Sequence, residues 1–203
     1  MSTFTLPLFP LPEVFLFPGT FLPLHIFEPR YRSMLDFCLE NGGEMGMAAY
    51  PKNHPGRGSS PPLPKIVGYG QIIQHEALPD GRSNIILEGL ETAKILEILS
   101  DSPFIIAKAE RRKHETNPKL DASVKADIEN LLILTKRILL ADGAEESLIL
   151  KMNQILNHPY PVDFIASLIH FDFQTKQDIL ETTKIKDKIF KLHQILWNLN
   201  LRE

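Results

Sequence analysis

Proline and glycine are spread so unevenly along this chain that they restrict its architecture before any other residue is read. Of 16 prolines, 13 lie at or before Pro103, and ten of 11 glycines lie at or before Gly89. Proline fixes φ and lacks a donor, while glycine opens positive φ, so residues so punctuated form strands and turns rather than long helices. The remainder of the chain is free to be helical. The expectation is an α+β chain of two domains, a β-rich one over residues 1–116 and a helical bundle over residues 117–203.

Within the first part, the stretch FPGTFLPLHIFEPRYRSML, beginning at Phe17, sets the pattern for its neighbours. Pro18-Gly19 makes a turn. Phe21, Leu22, Leu24, Ile26 and Phe27 then read as a buried extended strand. Pro29 stands where a helix begins, since its missing N–H is not needed in the first turn. Tyr31, Leu35, Cys38 and Leu39 recur at helical spacing, with Arg30, Arg32, Asp36 and Glu40 off that face. Asn41-Gly42-Gly43 ends the helix.

Residues 5–9 and 44–50 read as further strands, and residues 51–64, PKNHPGRGSSPPLP, as a solvent loop. Two long extended segments, 65–78 and 83–99, are joined by Pro79-Asp80-Gly81-Arg82, a hairpin turn with preset φ, a side-chain acceptor and a residue free to go left-handed. Gly68, Gly70 and Gly89 permit the bulges and sharp coiling that a small barrel needs. Residues 103–113 supply one more strand. Six strands with one helix predict a β pseudobarrel.

From Asp121 the period becomes helical. Val124, Ile128, Leu131 and Ile138 form one seam, and Leu148, Met152 and Ile155 another, in a helix ended by Asn157-His158-Pro159. Pro161-Val162-Asp163 opens a shorter helix, residues 174–181 make the next, and Ile185, Ile189, Leu192, Leu196 and Leu199 line the last. Four or five helices in a bundle are expected.

Catalytic chemistry finds no footing. There is no GxxxxGK[ST] loop to cradle phosphate, no GxSxG elbow, and neither His75-Glu76 nor His114-Glu115 has the second histidine of a zinc-binding HExxH. Cys38 falls on the apolar side of its helix, Ser59-Ser60 in the loop, and Glu145-Glu146 on different faces of a helix start. His25 reads as a hydrogen-bonded core or rim histidine. These readings predict no enzyme, no cofactor and no metal. The net charge of −3 is even, 11 Lys/Arg against 13 Asp/Glu over residues 1–116 and 11 against 12 over the rest, so no nucleic-acid footprint emerges. The proline-broken N-terminus predicts neither signal peptide nor membrane span, and hence a cytoplasmic protein.

What remains is surface. Phe9, Phe15, Phe17, Phe21 and Phe27 crowd into nineteen residues. Most belong to a core, but Phe15 and Phe17 flank prolines near a turn, where rings end half exposed. Exposed aromatics beside an unpaired strand edge take extended peptide by strand addition.

Taken together, LPLFPLPEVFLFPGTFLPLHIFEPRYRSML and the later LPDGRSNIILEGLETAKI resemble the N-terminal substrate-binding domain of Lon-type ATP-dependent proteases, above all free-standing members without the protease machinery. The resemblance is carried by Leu6-Pro7-Leu8, Phe17-Pro18-Gly19, Leu22-Pro23-Leu24, Phe27-Glu28-Pro29-Arg30-Tyr31, Gly68, Leu78-Pro79-Asp80-Gly81 and Glu88-Gly89. In the helical part it continues through Ile165-Ala166-Ser167-Leu168 and residues 176–181, KQDILE, so it runs from Leu6 to Leu199. It implies a PUA-like pseudobarrel followed by a helical bundle, and recognition of damaged or unfolded polypeptide. No ATPase or Ser–Lys proteolytic module accompanies it before Glu203. The expected function is a non-enzymatic module binding unfolded polypeptide or a protein partner, through Phe15, Phe17, Phe21, Leu78 and Pro79. The alternative is a PUA-like small-ligand or RNA-binding module, although the one basic run, Arg111-Arg112-Lys113, reads as a solvated strand end.

Overall fold

A computed structural model describes residues 3–53, 63–116 and 121–200. Most of the expected 51–64 loop, with Ser59-Ser60, lies outside the described residues. The chain divides into two compact units, Met1–Lys113 and His114–Glu203.

The first unit contains β1 (Thr3–Pro12), β2 (Phe21–Ile26), α1 (Pro29–Glu40), β3 (Glu44–Tyr50), β4 (Ile66–Ala77), β5 (Ser83–Ser100) and β6 (Ile105–Arg112). The strand order is β2-β5-β4-β3-β1-β6, and a further β5–β6 pairing closes five strands into a ring while β2 stays outside it. The long β5 makes this possible. Its first part, Ser83 to Glu88, pairs with β2, and its last part, Thr92 to Ser100, pairs with β6. Three prolines sit in β1 because its partner changes midway: Thr3 to Leu8 pair with β6, and Leu8 to Pro12 with β3. Each proline therefore has one flank without a ladder, where a missing N–H is tolerated.

The barrel interior is filled by Leu6, Leu8, Ala48, Val67, Tyr69, Ala93, Ala107 and Ala109. A second cluster lies under α1, which buries Tyr31, Met34, Leu35 and Cys38 against Phe9, Leu16, Ile26, Met45 and Leu87. Leu39, expected on that face, is exposed, and Met34 takes its place one turn from Tyr31 and Cys38. The glycines of β4 and β5 have a stronger reason than coiling alone. Bulges do occur between Tyr69 and Gly70 and between Ile72 and Gln74. In addition, the segment before β2 is laid directly on the sheet: a Cβ on Gly68 would stand 1.9 Å from the Leu16 carbonyl oxygen, and one on Gly89 2.1 Å from that of Phe17. Gly89 also accepts from the Gly19 N–H at 2.7 Å and donates to the Thr20 carbonyl at 2.8 Å.

The second unit contains α2 (Ala122–Ala141), α3 (Glu146–Lys151), a 3-10 helix (Met152–Asn157), α4 (Pro161–Leu168), α5 (Phe173–Glu181) and α6 (Ile185–Asn200). Asp121 and Asp172 cap α2 and α5, accepting the N–H groups of Ser123 at 2.7 Å and Thr175 at 3.0 Å. The expected seam of α2 is buried, as are Ile189, Leu192 and Leu196 of α6. The helix expected to run to Asn157 is instead α3 followed by the tighter 3-10 turn, which stacks Met152 over Ile155, three residues on, toward the core. Among the described residues no helix is long and apolar enough to cross a membrane.

Candidate functional site

β2 follows a turn at Pro18-Gly19, where Gly19 adopts φ of 71°, and among the described residues it pairs on one flank only, with β5. It is an edge strand rather than the buried strand its apolar run suggests. Leu22, Leu24 and Ile26 turn toward the core, while Phe21, Pro23 and His25 alternate onto the outer face. Pro23 has no N–H to give to a second neighbour, so a place inside the sheet would leave a gap in one of its ladders. Phe21 is 59% exposed, and Phe27, just past the strand, 58%.

Cross-strand neighbours share a face, so the register fixes what surrounds these rings. Phe21 lies beside Glu88, Pro23 beside Ile86 and then Gln74, and His25 beside Asn84 and then Glu76. A cleft of about 360 Å³ opens here, lined by Pro23, Leu24, His25, Gln74, Asn84, Ile85 and Ile86.

A chain of hydrogen bonds orders its polar rim. Asn84 Nδ2 donates to Glu76 Oε2 at 3.0 Å, which leaves Asn84 Oδ1 to face His25 Nδ1 at 2.8 Å. Nδ1 therefore carries the imidazole proton, and Nε2 is turned toward Arg82 Nη1, 3.5 Å away. Arg82 is itself held by Asp80, Nε to Oδ2 at 2.6 Å, and these hydrogen bonds keep the Asp80 carboxyl below the usual carboxylate range. The His25 ring stacks on Phe27, centroids 6.0 Å apart and planes 25° from parallel. An ordered imidazole thus steadies one exposed aromatic ring.

The expected binding residues fall in different surroundings. Phe21 is on the exposed edge. Phe15 is half-buried with its ring 6.3 Å from that of Phe17, and Phe17 is 1% exposed, a buried side chain. Leu78 is half-buried and Pro79 exposed in the β4–β5 turn, at the opposite end of β2 from Phe21, because Ser83 pairs with Ile26. The sequence reading did not select Pro23, Phe27, Ile86 or Glu88. The signal was there in the period of two from Phe21 through Pro23 and His25 to Phe27, masked by the apolar residues between them.

Elsewhere, charge and thiol are closed off. Burial pushes the Cys38 thiol up to about 12. Arg111, exposed near the end of β6, reaches both Glu44 carboxylate oxygens at 2.8 Å and stacks over the Phe4 ring at 4.5 Å. In the second unit, the sequence reading missed a buried cluster. Lys188 of α6, 1% exposed, donates to Asp163 of α4 and, at 2.9 Å, to His114 Nδ1. Burial pushes the Asp163 carboxyl up, against the pull of Lys188. These three groups turn their charge and hydrogen bonds on one another. Among the described residues, no group of three or more His, Cys, Asp or Glu could hold a metal ion.

A family profile described as the ATP-dependent protease La (LON) substrate-binding domain matches residues 5–198. The Lon protease of Dictyoglomus thermophilum is 26% identical over 190 residues, which cover 92% of this chain and 23% of that protein. Lon protease 1 of Borreliella burgdorferi is 25% identical over 209 residues, covering 97% and 26%. The chain spans about a quarter of the length of these curated relatives. Among solved structures, the N-terminal domain of Mycobacterium avium complex Lon protease has a TM-score of 0.69 at 15% identity, covering 95% of this chain and 97% of that one. A Lon N-terminal domain protein from Xanthomonas campestris has a TM-score of 0.66 at 18% identity, with 95% and 97% covered. These two likenesses bear on the fold, a pseudobarrel followed by a helical bundle.

Proposed function

The chain belongs to the Lon substrate-binding domain family, and on that premise we propose that it is a non-enzymatic, cytoplasmic module that takes unfolded or extended polypeptide along β2. One observation carries the proposal: an edge strand that lines a cleft of about 360 Å³ has Phe21 at its start and Phe27 just past its end, both more than half exposed. An unpaired strand edge offers backbone hydrogen bonds to any sequence, and exposed rings and an apolar cleft reward side chains at alternate positions. Pro23 removes one donor from this edge, so side-chain contacts supply most of the grip. That division suits a binder of many sequences. Single exposed apolar side chains are ordinary on protein surfaces, but here two rings, a cleft and an open ladder coincide.

The alternative of an RNA-binding module draws less support. Arg111, in the one basic run, is engaged with Glu44 and Phe4, and the acidic side chains Glu88 and Glu76 stand beside the cleft.

The test is fluorescence anisotropy of labelled peptides from a denatured protein, titrated with the full chain. Saturable binding is expected, weakened about tenfold or more by F21A combined with F27A, the loss of two aromatic anchors. Absence of saturable binding at tens of micromolar, or binding indifferent to that double substitution, overturns the proposal.

A further inference from the structure

We infer that the polypeptide preferred at this edge is cationic, an extended segment with Lys or Arg among its apolar residues; this rests on the polypeptide-binding reading above. The three rows of the outer face read Phe21–Glu88–Gln71, Pro23–Ile86–Gln74 and His25–Asn84–Glu76. They contain two carboxylates and no Lys or Arg. Among the described residues, neither Glu88 nor Glu76 forms an ion pair, and Glu76 accepts from the neutral Asn84 amide. The nearby guanidinium of Arg82 is already matched by Asp80. The face therefore carries uncompensated negative charge directly behind its aromatic column.

Geometry lets an incoming strand use that charge. A strand added outside β2 lies about 10 Å from β5, two inter-strand spacings. An Arg or Lys opposite Phe21 spans that distance by lying across the exposed ring and meeting the Glu88 carboxylate beyond it. The cation then gains from the ring face and from the carboxylate together. Glu88 is half-buried, so salt and water weaken this attraction less than at an open surface. Glu76, one strand further in, adds field rather than contact. A second copy of this chain is a poor occupant, because the same edge brings the same carboxylates and the chain's net charge is −3.

Three labelled peptides of one length and one apolar pattern, differing only in two Lys, two Gln or two Glu at alternate positions, separate the possibilities. Titrated with the full chain at low salt, the Lys peptide is expected to bind about three- to tenfold more tightly than the Gln peptide, and the Glu peptide most weakly. The preference should collapse at high salt. E88Q should remove most of it, and E76Q a smaller part. Equal binding of Lys and Gln peptides, or a preference that survives the E88Q/E76Q double variant, overturns this inference and leaves the polypeptide-binding reading standing. Binding by none of the three peptides overturns both.

Discussion

The two units treat charge in opposite ways. In the first, polar groups are arranged in the open: Glu76, Asn84, His25, Arg82 and Asp80 form a chain across the face beside the β2 edge. In the second, Lys188, Asp163 and His114 are shut away from water and turned toward one another. An exposed network can be rearranged by a ligand at little cost, since water replaces each lost bond. A buried one cannot, because each broken bond strands a charge in a medium that solvates it poorly. The contrast separates an open surface, the one proposed to bind, from a buried cluster that links α4 and α6.

The largest effect should come from withdrawing one member of the buried cluster. K188M leaves the Asp163 carboxylate without its counter-charge, and the helical unit should lose about 3–5 kcal/mol, measured as the shift in urea denaturation of the far-UV helical signal. The deficit should depend on pH in a stated direction. Burial already raises the Asp163 carboxyl, and Lys188 opposes that rise. With the lysine gone the folded-state value climbs further above the unfolded one. The folded variant then takes up a proton that the unfolded chain does not, so K188M recovers stability as pH falls, in a window above the usual carboxylate value. A deficit independent of pH would mean that Asp163 finds another cation, and the cluster would be looser than the comparison requires.

The first unit has its own rigid element, made of backbone instead of charge. The strap before β2 rests on Gly68 and Gly89 with no room for a side-chain carbon. G89A must push the Phe17 carbonyl away and with it the paired Gly19 and Thr20, at a cost of about 1–3 kcal/mol or more. Because the strap leads straight into β2, peptide binding at the edge should weaken along with stability. Loss of stability with unaltered peptide affinity would detach the edge from the strap.

Much of this architecture was legible because it depends on local rules. Turn residues located the β4–β5 hairpin at Pro79-Asp80-Gly81, and periodicity located α1, α2 and α6, because both signals are short-range. What escaped depends on partners distant in the chain. His114, Asp163 and Lys188 each look like ordinary polar residues at a strand exit, a helix start and a helix face; only packing brings them together. The exposure of β2 escaped for the same reason, since an edge is defined by the strand that is missing. Phe17 and Phe21 are alike as letters, yet one ring is buried and the other more than half exposed. Of the residues expected at the site, Phe21 is an exposed ring on the edge and Phe17 is buried.

The smallest effect sharpens the contrast by using an exposed carboxylate inside the helical unit. Asp172 caps α5, and its hydrogen bonds to the Thr175 hydroxyl and N–H hold its carboxyl below the usual range. D172A should cost about 1 kcal/mol at neutral pH, whereas D172N, which keeps an acceptor oxygen, should cost less. A lowered folded-state value means the stabilisation is complete above the unfolded carboxylate value of about 3.9 and fades as pH falls through the folded one. The D172A deficit should therefore stay constant on acidification until below about pH 4, where the K188M deficit has already narrowed. Two carboxylates on helices of one unit, each at the first turn or cap, would then answer acid in separate windows. Water accounts for the difference: it reaches Asp172 and leaves Asp163 to its lysine, and coincident windows would mean that Asp163 is solvated after all.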